Sequence, residues 1–160
     1  MLLATVFVFT SCTKFKDGKY IVVNIKSHDE SYTTLPTCSD DTLNGKSIGG
    51  FLKEKFTKRP YLLKFKEDFV VLRDLEEGED TILALGSDSL GDYYSTDVSK
   101  GEEKEQFHIQ LRPSKSSNRL VLIVDLNVPW GIRYRPVQLG GKYTSGGACG
   151  RVICYLSKLD

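Results

Sequence analysis

This chain of 160 residues has few of the residues that commonly build catalytic and metal sites. It has one tryptophan, one methionine and only two histidines, His28 and His108. Neither histidine lies close in sequence to a cysteine, and no Cys-x-x-Cys pair occurs, so a zinc site is not indicated. A catalytic triad needs a base and an orienting group beside the nucleophile. His28 lies beside Asp29 and Glu30, and His108 lies on the strand face opposite Phe107 and Ile109. Both are best interpreted as solvent-facing, so we predict no catalytic residue, metal or cofactor.

Charge of one sign is not in excess either. Lysine and arginine number 22 against 21 acidic residues, which gives a net charge of +1. A nucleic-acid-binding protein normally carries a basic patch on one element, so we predict no nucleic-acid partner. With 40% hydrophobic and 27% charged residues, the composition is that of one ordinary globular domain with a proper core.

The longest apolar run lies at the start of the chain and is too short to span a bilayer, which takes about 20 residues. Residues 1–11 carry no charge, and Thr10 and Ser11 lead directly into Cys12. This segment resembles the end of a bacterial lipoprotein signal peptide. The resemblance implies that residues 1–11 are a signal-peptide remnant, that Cys12 is lipidated and that residues 12–19 form a tether. The expected location is then the bacterial cell envelope, with the protein held on a membrane by its N-terminal lipid. An ordinary secretory signal cut near Ser11 and a hydrophobic first strand are the alternatives.

Four cysteines are present, and three remain if Cys12 is lipidated. An exported protein meets an oxidising compartment, which favours one disulfide and one remaining thiol. Cys38 and Cys149 both lie in predicted loops, whereas Cys154 lies in a predicted strand. We therefore favour the pair Cys38–Cys149, with Cys38–Cys154 as the alternative.

The body of the chain alternates apolar and polar residues with a period of two, which predicts β-strands. Turn signals separate the runs, about ten residues apart, and this spacing is typical of a meander. They include Pro129 to Gly131 and the acidic run Glu76 to Asp80, which we interpret as a solvated hairpin turn. The predicted strands are 20–26, 62–66, 69–74, 81–85, 92–97, 106–111, 120–126, 132–139 and 151–157. Residues 47–58 instead have helical spacing, with Ser47 as a cap and Arg59-Pro60 as a stop. The polar stretch 27–45 is predicted to be a long loop.

One strand, then a loop and a helix, then about eight strands is an order that resembles the lipocalin and fatty-acid-binding superfamily. The resemblance covers residues 20–160 as a single domain. The Gly-x-Trp signature of lipocalins is absent, because Gly18-Lys19-Tyr20 has tyrosine in the third position. The resemblance implies an all-β, antiparallel meander barrel of about 8–10 strands with one short helix after the first strand.

A ligand site in such a barrel could use Arg133 and Arg135, which share one face of a predicted strand. Two guanidinium groups can clamp a carboxylate or phosphate, and in the superfamily an inward arginine with a tyrosine often holds a lipid head group. Tyr155, Tyr93 or Tyr94 could supply the hydroxyl. An exposed basic strand face is the alternative for the two arginines.

Two functions therefore remain open. One is a membrane-tethered binding protein that holds a small apolar or amphipathic ligand in its lumen. The other is a protein interaction module with a filled core, for example an inhibitor or immunity-type lipoprotein. A cavity of about 300–1,000 Å³ would favour the first.

Overall fold

Eight antiparallel strands close into a barrel in which each strand pairs with the next along the chain and the first pairs with the last. The computed structural model describes residues 15–33, 42–43, 46–100, 105–115, 119–135 and 142–160, and the side chains of 15–27, 48–99, 106–115, 119–127 and 150–160. One helix follows the first strand. The predicted fold, an antiparallel barrel with a short helix after its first strand, is confirmed.

The barrel strands are β1 (Gly18–Thr33), β4 (Pro60–Phe65), β5 (Phe69–Asp74), β6 (Asp80–Asp88), β7 (Gly91–Lys100), β8 (Glu105–Pro113), β9 (Leu120–Arg135) and β10 (Lys142–Lys158). Two short strands, β2 (Thr42–Leu43) and β3 (Lys46–Ser47), pair with each other outside the barrel, and the helix α1 spans Ile48–Phe56.

The barrel interior is filled by apolar side chains because inward and outward residues alternate along each strand. In β5, for example, Val70 and Leu72 are buried while Phe69 and Arg73 are exposed. Fully buried side chains from all around the barrel meet in the centre: Leu63, Leu83, Leu111, Leu122, Leu126, Leu156, Val70, Val124, Val152 and Cys154. Burial of this apolar area is the main source of stability.

Helix α1 packs on β1 and β10 with its apolar stripe turned to the barrel, so that Ile48, Leu52 and Phe56 are buried. The approach is close at Gly150 of β10. A Cβ atom there would lie 2.6 Å from the Gly49 nitrogen, so glycine permits the contact. The helix ends as Lys58 turns to a positive φ of 56°, and Arg59-Pro60 then starts β4.

Three sequence predictions were wrong about where strands end. Strand β1 runs on to Thr33, so residues 27–33 are strand and not loop. Strand β9 continues through the predicted turn at 129–131, and β10 includes the glycine-rich residues 146–150. The register of β9 and β10 shifts between Gly146 and Gly147, opposite 129–131. An irregularity of this kind lets a strand with proline and glycine continue without a turn.

The two ends of the barrel differ in what closes them. At the end that we call the helix end, α1 lies near the start of β4 and the Asp74–Glu79 turn between β5 and β6. At the opposite end, the N-terminal end, Phe15 packs against Phe65 and Tyr94 with ring centroids 5.2 and 5.0 Å apart. Strand β1 begins at Gly18, two residues before the expected start of the domain at Tyr20.

Candidate functional site

A cavity of about 80 Å³ lies at the helix end of the barrel. Its lining combines apolar side chains from the interior with charged side chains at the mouth: Lys55, Phe56, Tyr61, Leu72, Asp74, Glu77, Glu79, Thr81, Val98, Phe107, Ile109, Leu122 and Val124. Sites that enclose a drug-sized ligand measure about 300–1,000 Å³, so this cavity is small by comparison. The site is therefore an apolar cleft with a polar rim and holds only a small group.

Tyr61 is the polar side chain in this cavity whose hydrogen bonding is incomplete. The residue is 2% exposed, and its buried hydroxyl has no hydrogen-bond partner among the described residues. Burial, together with the nearby Asp74 carboxylate, raises the pKa of Tyr61 well above its usual value. The hydroxyl is therefore neutral and keeps its capacity to donate and to accept a hydrogen bond.

The rim is organised by Arg59, which is only 5% exposed. Its Nε donates to the Asp74 carboxylate, and its Nη2 lies 2.6 Å from the Glu77 carboxylate. Its Nη1 donates to the carbonyl oxygen of Lys55 over 3.0 Å, which links the rim to the helix. A buried guanidinium is costly to leave unpaired. Because Arg59 is held by all three of these partners, the network fixes the shape of the mouth.

The local sequence explains why these carboxylates lie at the rim. The Asp74 side chain accepts hydrogen bonds from the backbone N–H groups of Glu76 and Glu77, over 2.9 and 3.1 Å. Gly78 takes a positive φ of 72°, which glycine adopts at little cost. The tight turn between β5 and β6 thus turns Glu77 back toward Arg59, and the predicted hairpin turn is confirmed.

Both paired carboxyl groups are held in the ionised form. Partial burial raises the pKa of Asp74, but the backbone N–H of Glu77 and the Arg59 guanidinium more than offset this, and the pKa lies below its ordinary value. The hydrogen bond from Arg59 likewise lowers the pKa of Glu77. The rim therefore carries fixed negative charge at neutral pH, partly balanced by Arg59 and Lys55.

The barrel wall is split beside the cavity. Pairing of β6 with β7 runs from Ala84 opposite Ser95 to Asp88 opposite Gly91. In the described strands, residues 80–83 of β6 and 96–100 of β7 have no ladder pairing with each other. Thr81 and Val98 lie on the two sides of this split and both line the cavity. The cavity is thus bordered by the least connected part of the wall.

The tyrosines expected to serve a ligand in the lumen lie elsewhere. Tyr93 is on the outer face, with the Arg112 guanidinium 5.2 Å from its ring centroid. Tyr155 is also on the outer face, since its neighbours Cys154 and Leu156 are buried, and Lys26 Nζ lies 6.0 Å from its ring centroid. This corrects the expectation for both residues, because neither can supply a hydroxyl to the interior.

The predicted arginines lie on β9, where Arg133 is opposite Thr144 and Arg135 is opposite Lys142 in the backbone register. Their side chains are outside the described part of the structure, so the clamp on an anion stays a prediction. The structure does not bring the expected arginine and tyrosine positions together as a site. The site at the helix end is formed by other residues.

Of the cysteines, Cys154 is free and fully buried, so the structure does not show the alternative pair Cys38–Cys154. Burial raises the pKa of the Cys154 thiol to about 12. Cys149 lies in a strand rather than a loop, opposite Asn127 and Glu30. Cys38 and Cys12 lie outside the described residues, so the Cys38–Cys149 bridge and lipidation at Cys12 stay predictions.

Sequence reasoning missed Tyr61, Arg59 and Asp74 as site residues. Arg59 was interpreted only as part of a helix stop, and the acidic run after Asp74 only as a solvated turn. Alternation in β4 could have indicated an inward Tyr61, because Tyr61 and Leu63 share a strand face. Nothing in the local pattern indicates that Arg59 reaches Asp74, since the two are brought together by the pairing of β4 with β5.

No protein-family model, curated protein or solved structure matches this chain. Among the described residues, no helix is long and apolar enough to cross a membrane. The same part of the chain contains no group of three or more His, Cys, Asp or Glu side chains placed to hold a metal ion. The function must therefore be argued from the cavity itself.

Proposed function

We propose that this protein is a non-enzymatic binding protein of the cell envelope, tethered to a membrane through Cys12. Its barrel receives one end of a small amphipathic ligand in the cavity at the helix end. The observation that carries this proposal is the Tyr61 side chain, which lines the apolar cleft and whose buried hydroxyl has no protein partner among the described residues. Most buried polar groups in proteins are hydrogen-bonded, and a ligand hydroxyl or amine would complete this one.

The size and charge of the cavity restrict the ligand. A volume of about 80 Å³ is well below the roughly 300–1,000 Å³ of sites that enclose a drug-sized molecule. The ligand is therefore either very small or inserts one end and leaves the rest outside. The rim carries Asp74, Glu77 and Glu79 against Lys55 and Arg59, an excess of one negative charge, so a neutral or cationic head group fits better than an anion.

A set of matched probes tests this proposal. Hexylamine, hexanol and hexanoate share one alkyl chain and differ in charge, and their binding is measured by calorimetric titration and by NMR shifts of Phe107 and Ile109. We expect the amine and the alcohol to bind and the carboxylate to bind least. Replacing Tyr61 by Phe should weaken binding about three- to tenfold, the range of one hydrogen bond.

Tyr20→Phe is the control for this titration, because Tyr20 is also buried but donates to the Lys16 carbonyl oxygen over 2.7 Å. It should leave probe binding unchanged. Binding that is insensitive to Tyr61→Phe, or no binding of any probe, contradicts the proposal. Membrane attachment is tested separately: Cys12→Ser should release the protein from the membrane fraction.

A protein interaction module is the second candidate function, and two observations favour it. The barrel interior is filled, and the outer wall exposes Ile82 at 61% and Phe69 at 37%. A photoreactive residue at Ile82 should then cross-link to a partner protein in the envelope, and the same residue at exposed Glu54 on the helix should not. Equal labelling at both positions speaks against this candidate.

A further inference from the structure

Exposed apolar side chains are concentrated at the N-terminal end of the barrel. Seven large hydrophobic residues are exposed in the described part of the chain: Val23, Phe69, Leu75, Ile82, Leu85, Leu90 and Leu159. Four of these lie at the N-terminal end, namely Phe69, Leu85, Leu90 and Leu159. Leu75 lies in the turn at the helix end. The exposed apolar surface is therefore unevenly distributed between the two ends.

Hydrogen bonds and register place these residues beside Phe15. The Leu85 N–H donates to the Asp68 carbonyl oxygen, and Leu85 is opposite Tyr94, whose ring contacts Phe15. The Leu159 N–H donates to the Lys19 carbonyl oxygen. Leu85 and Leu159 thus lie beside the point at which the chain enters the barrel, at the same end as Phe69 and Leu90.

We infer that the N-terminal end of the barrel rests on a phospholipid membrane, with Phe69, Leu85 and Leu90 in contact with the lipid. This inference rests on the tether in the proposed function, because a lipid on Cys12 would lie only three residues from Phe15. A tether that short brings this end, and not the helix end, to the bilayer. Exposed apolar surface that is gathered at one end of a protein can mark a contact with a membrane.

The charges at this end favour a neutral lipid surface. Lys16 and Lys66 are exposed there, but Glu67 and Asp68 are exposed beside them. Mixed charges give little net attraction to anionic head groups, so the apolar side chains make the contact with the membrane. The opposite end, with the Tyr61 cavity, then faces away from the membrane and is open to a ligand from the aqueous phase.

Two leucines in turns at opposite ends provide a matched test. The full chain, with Trp130 replaced by Phe, carries a single tryptophan as Leu90→Trp or Leu75→Trp. An N-terminal hexahistidine tag holds each protein on phosphatidylcholine vesicles that contain a nickel-chelating lipid, so the result does not depend on lipidation. Fluorescence is compared between vesicles with and without brominated acyl chains.

We expect Leu90→Trp to lose about half of its emission in brominated vesicles, because interfacial side chains reach about 5–10 Å into the boundary of head groups and acyl chains. Leu75→Trp should not change. No quenching at Leu90, or equal quenching at both positions, overturns the inference. Emission from Leu90→Trp that is already blue-shifted without vesicles also overturns it, since residues 1–14 would then cover this end.

The tether is judged by a separate measurement. The mass of the N-terminal peptide from protein made in a bacterium shows whether Cys12 carries a lipid. An unmodified Cys12 together with quenching at Leu90 refutes the tether and supports the membrane-facing surface. A lipidated Cys12 without quenching at Leu90 supports the tether and refutes the membrane-facing surface.

Discussion

Two buried tyrosines with opposite hydrogen-bonding environments predict opposite effects of removing a hydroxyl. Tyr61 is 2% exposed and Tyr20 is 5% exposed. The Tyr61 hydroxyl has no partner among the described residues, whereas the Tyr20 hydroxyl donates to the Lys16 carbonyl oxygen over 2.7 Å. Without ligand, Tyr61→Phe should stabilise the protein and Tyr20→Phe should destabilise it.

The size of each effect follows from the cost of burying a polar group. An unsatisfied buried hydroxyl costs about 1–3 kcal/mol. Because the cavity reaches the charged rim, the lower end of that range applies to Tyr61, and Tyr61→Phe should raise the free energy of unfolding by about 1 kcal/mol. Tyr20→Phe should lower it by about 1 kcal/mol, the typical net worth of one hydrogen bond.

Urea unfolding followed by circular dichroism measures both changes, and thermal melts provide a second measure. A change of 1 kcal/mol shifts Tm by about 2–4 °C in a domain of this size, so the two variants should move in opposite directions around the wild type. Tyr93→Phe, on the outer face, serves as a neutral control. Destabilisation by Tyr61→Phe comparable to that by Tyr20→Phe would refute the reasoning.

Three further predictions follow from the fold. Gly150→Ala should lower the free energy of unfolding by about 1–3 kcal/mol in urea unfolding, because its Cβ would meet the helix backbone. At Gly78 nothing lies within 4 Å of the added carbon, so Gly78→Ala should cost only its backbone strain. Equal losses of stability in the two variants would contradict this. Because the pKa values of Asp74 and Glu77 are lowered in the folded protein, their contribution to its stability is present at neutral pH and is lost as pH falls below about 4. The melting temperature should therefore fall between pH 7 and pH 2.5, and it should fall less in Arg59→Met than in the wild type. An equal fall in both proteins would count against the Arg59 network. Cys154 should react with a disulfide reagent only on unfolding, because its thiol is buried and its pKa is raised to about 12. Fast labelling of Cys154 in the native protein at pH 8, located by peptide mapping, would disprove its burial.

Alternation of apolar and polar residues was enough to predict the barrel, because burial on one face of a strand leaves a period of two in the sequence. The same pattern did not show which of two adjacent tyrosines faces inward. Tyr94 is buried and Tyr93 lies outside, and the difference depends on the register of β7 against β6 and β8. The predicted turn at 129–131 failed because proline and glycine also occur at strand irregularities. The Arg59–Asp74 pair depends on contacts between strands that no local pattern contains.

The unpaired stretch between β6 and β7 has a consequence for hydrogen exchange. Barrel strands usually have ladder partners on both sides, so exposing their amides requires breaking two ladders. Ile82 and its neighbours in residues 80–83 are held from one side only, by β5. Their amides should exchange through a local opening that is cheaper than global unfolding. The wall beside Tyr61 can therefore move outward while the other strands stay closed, so opening of the cavity and unfolding of the barrel are separate events.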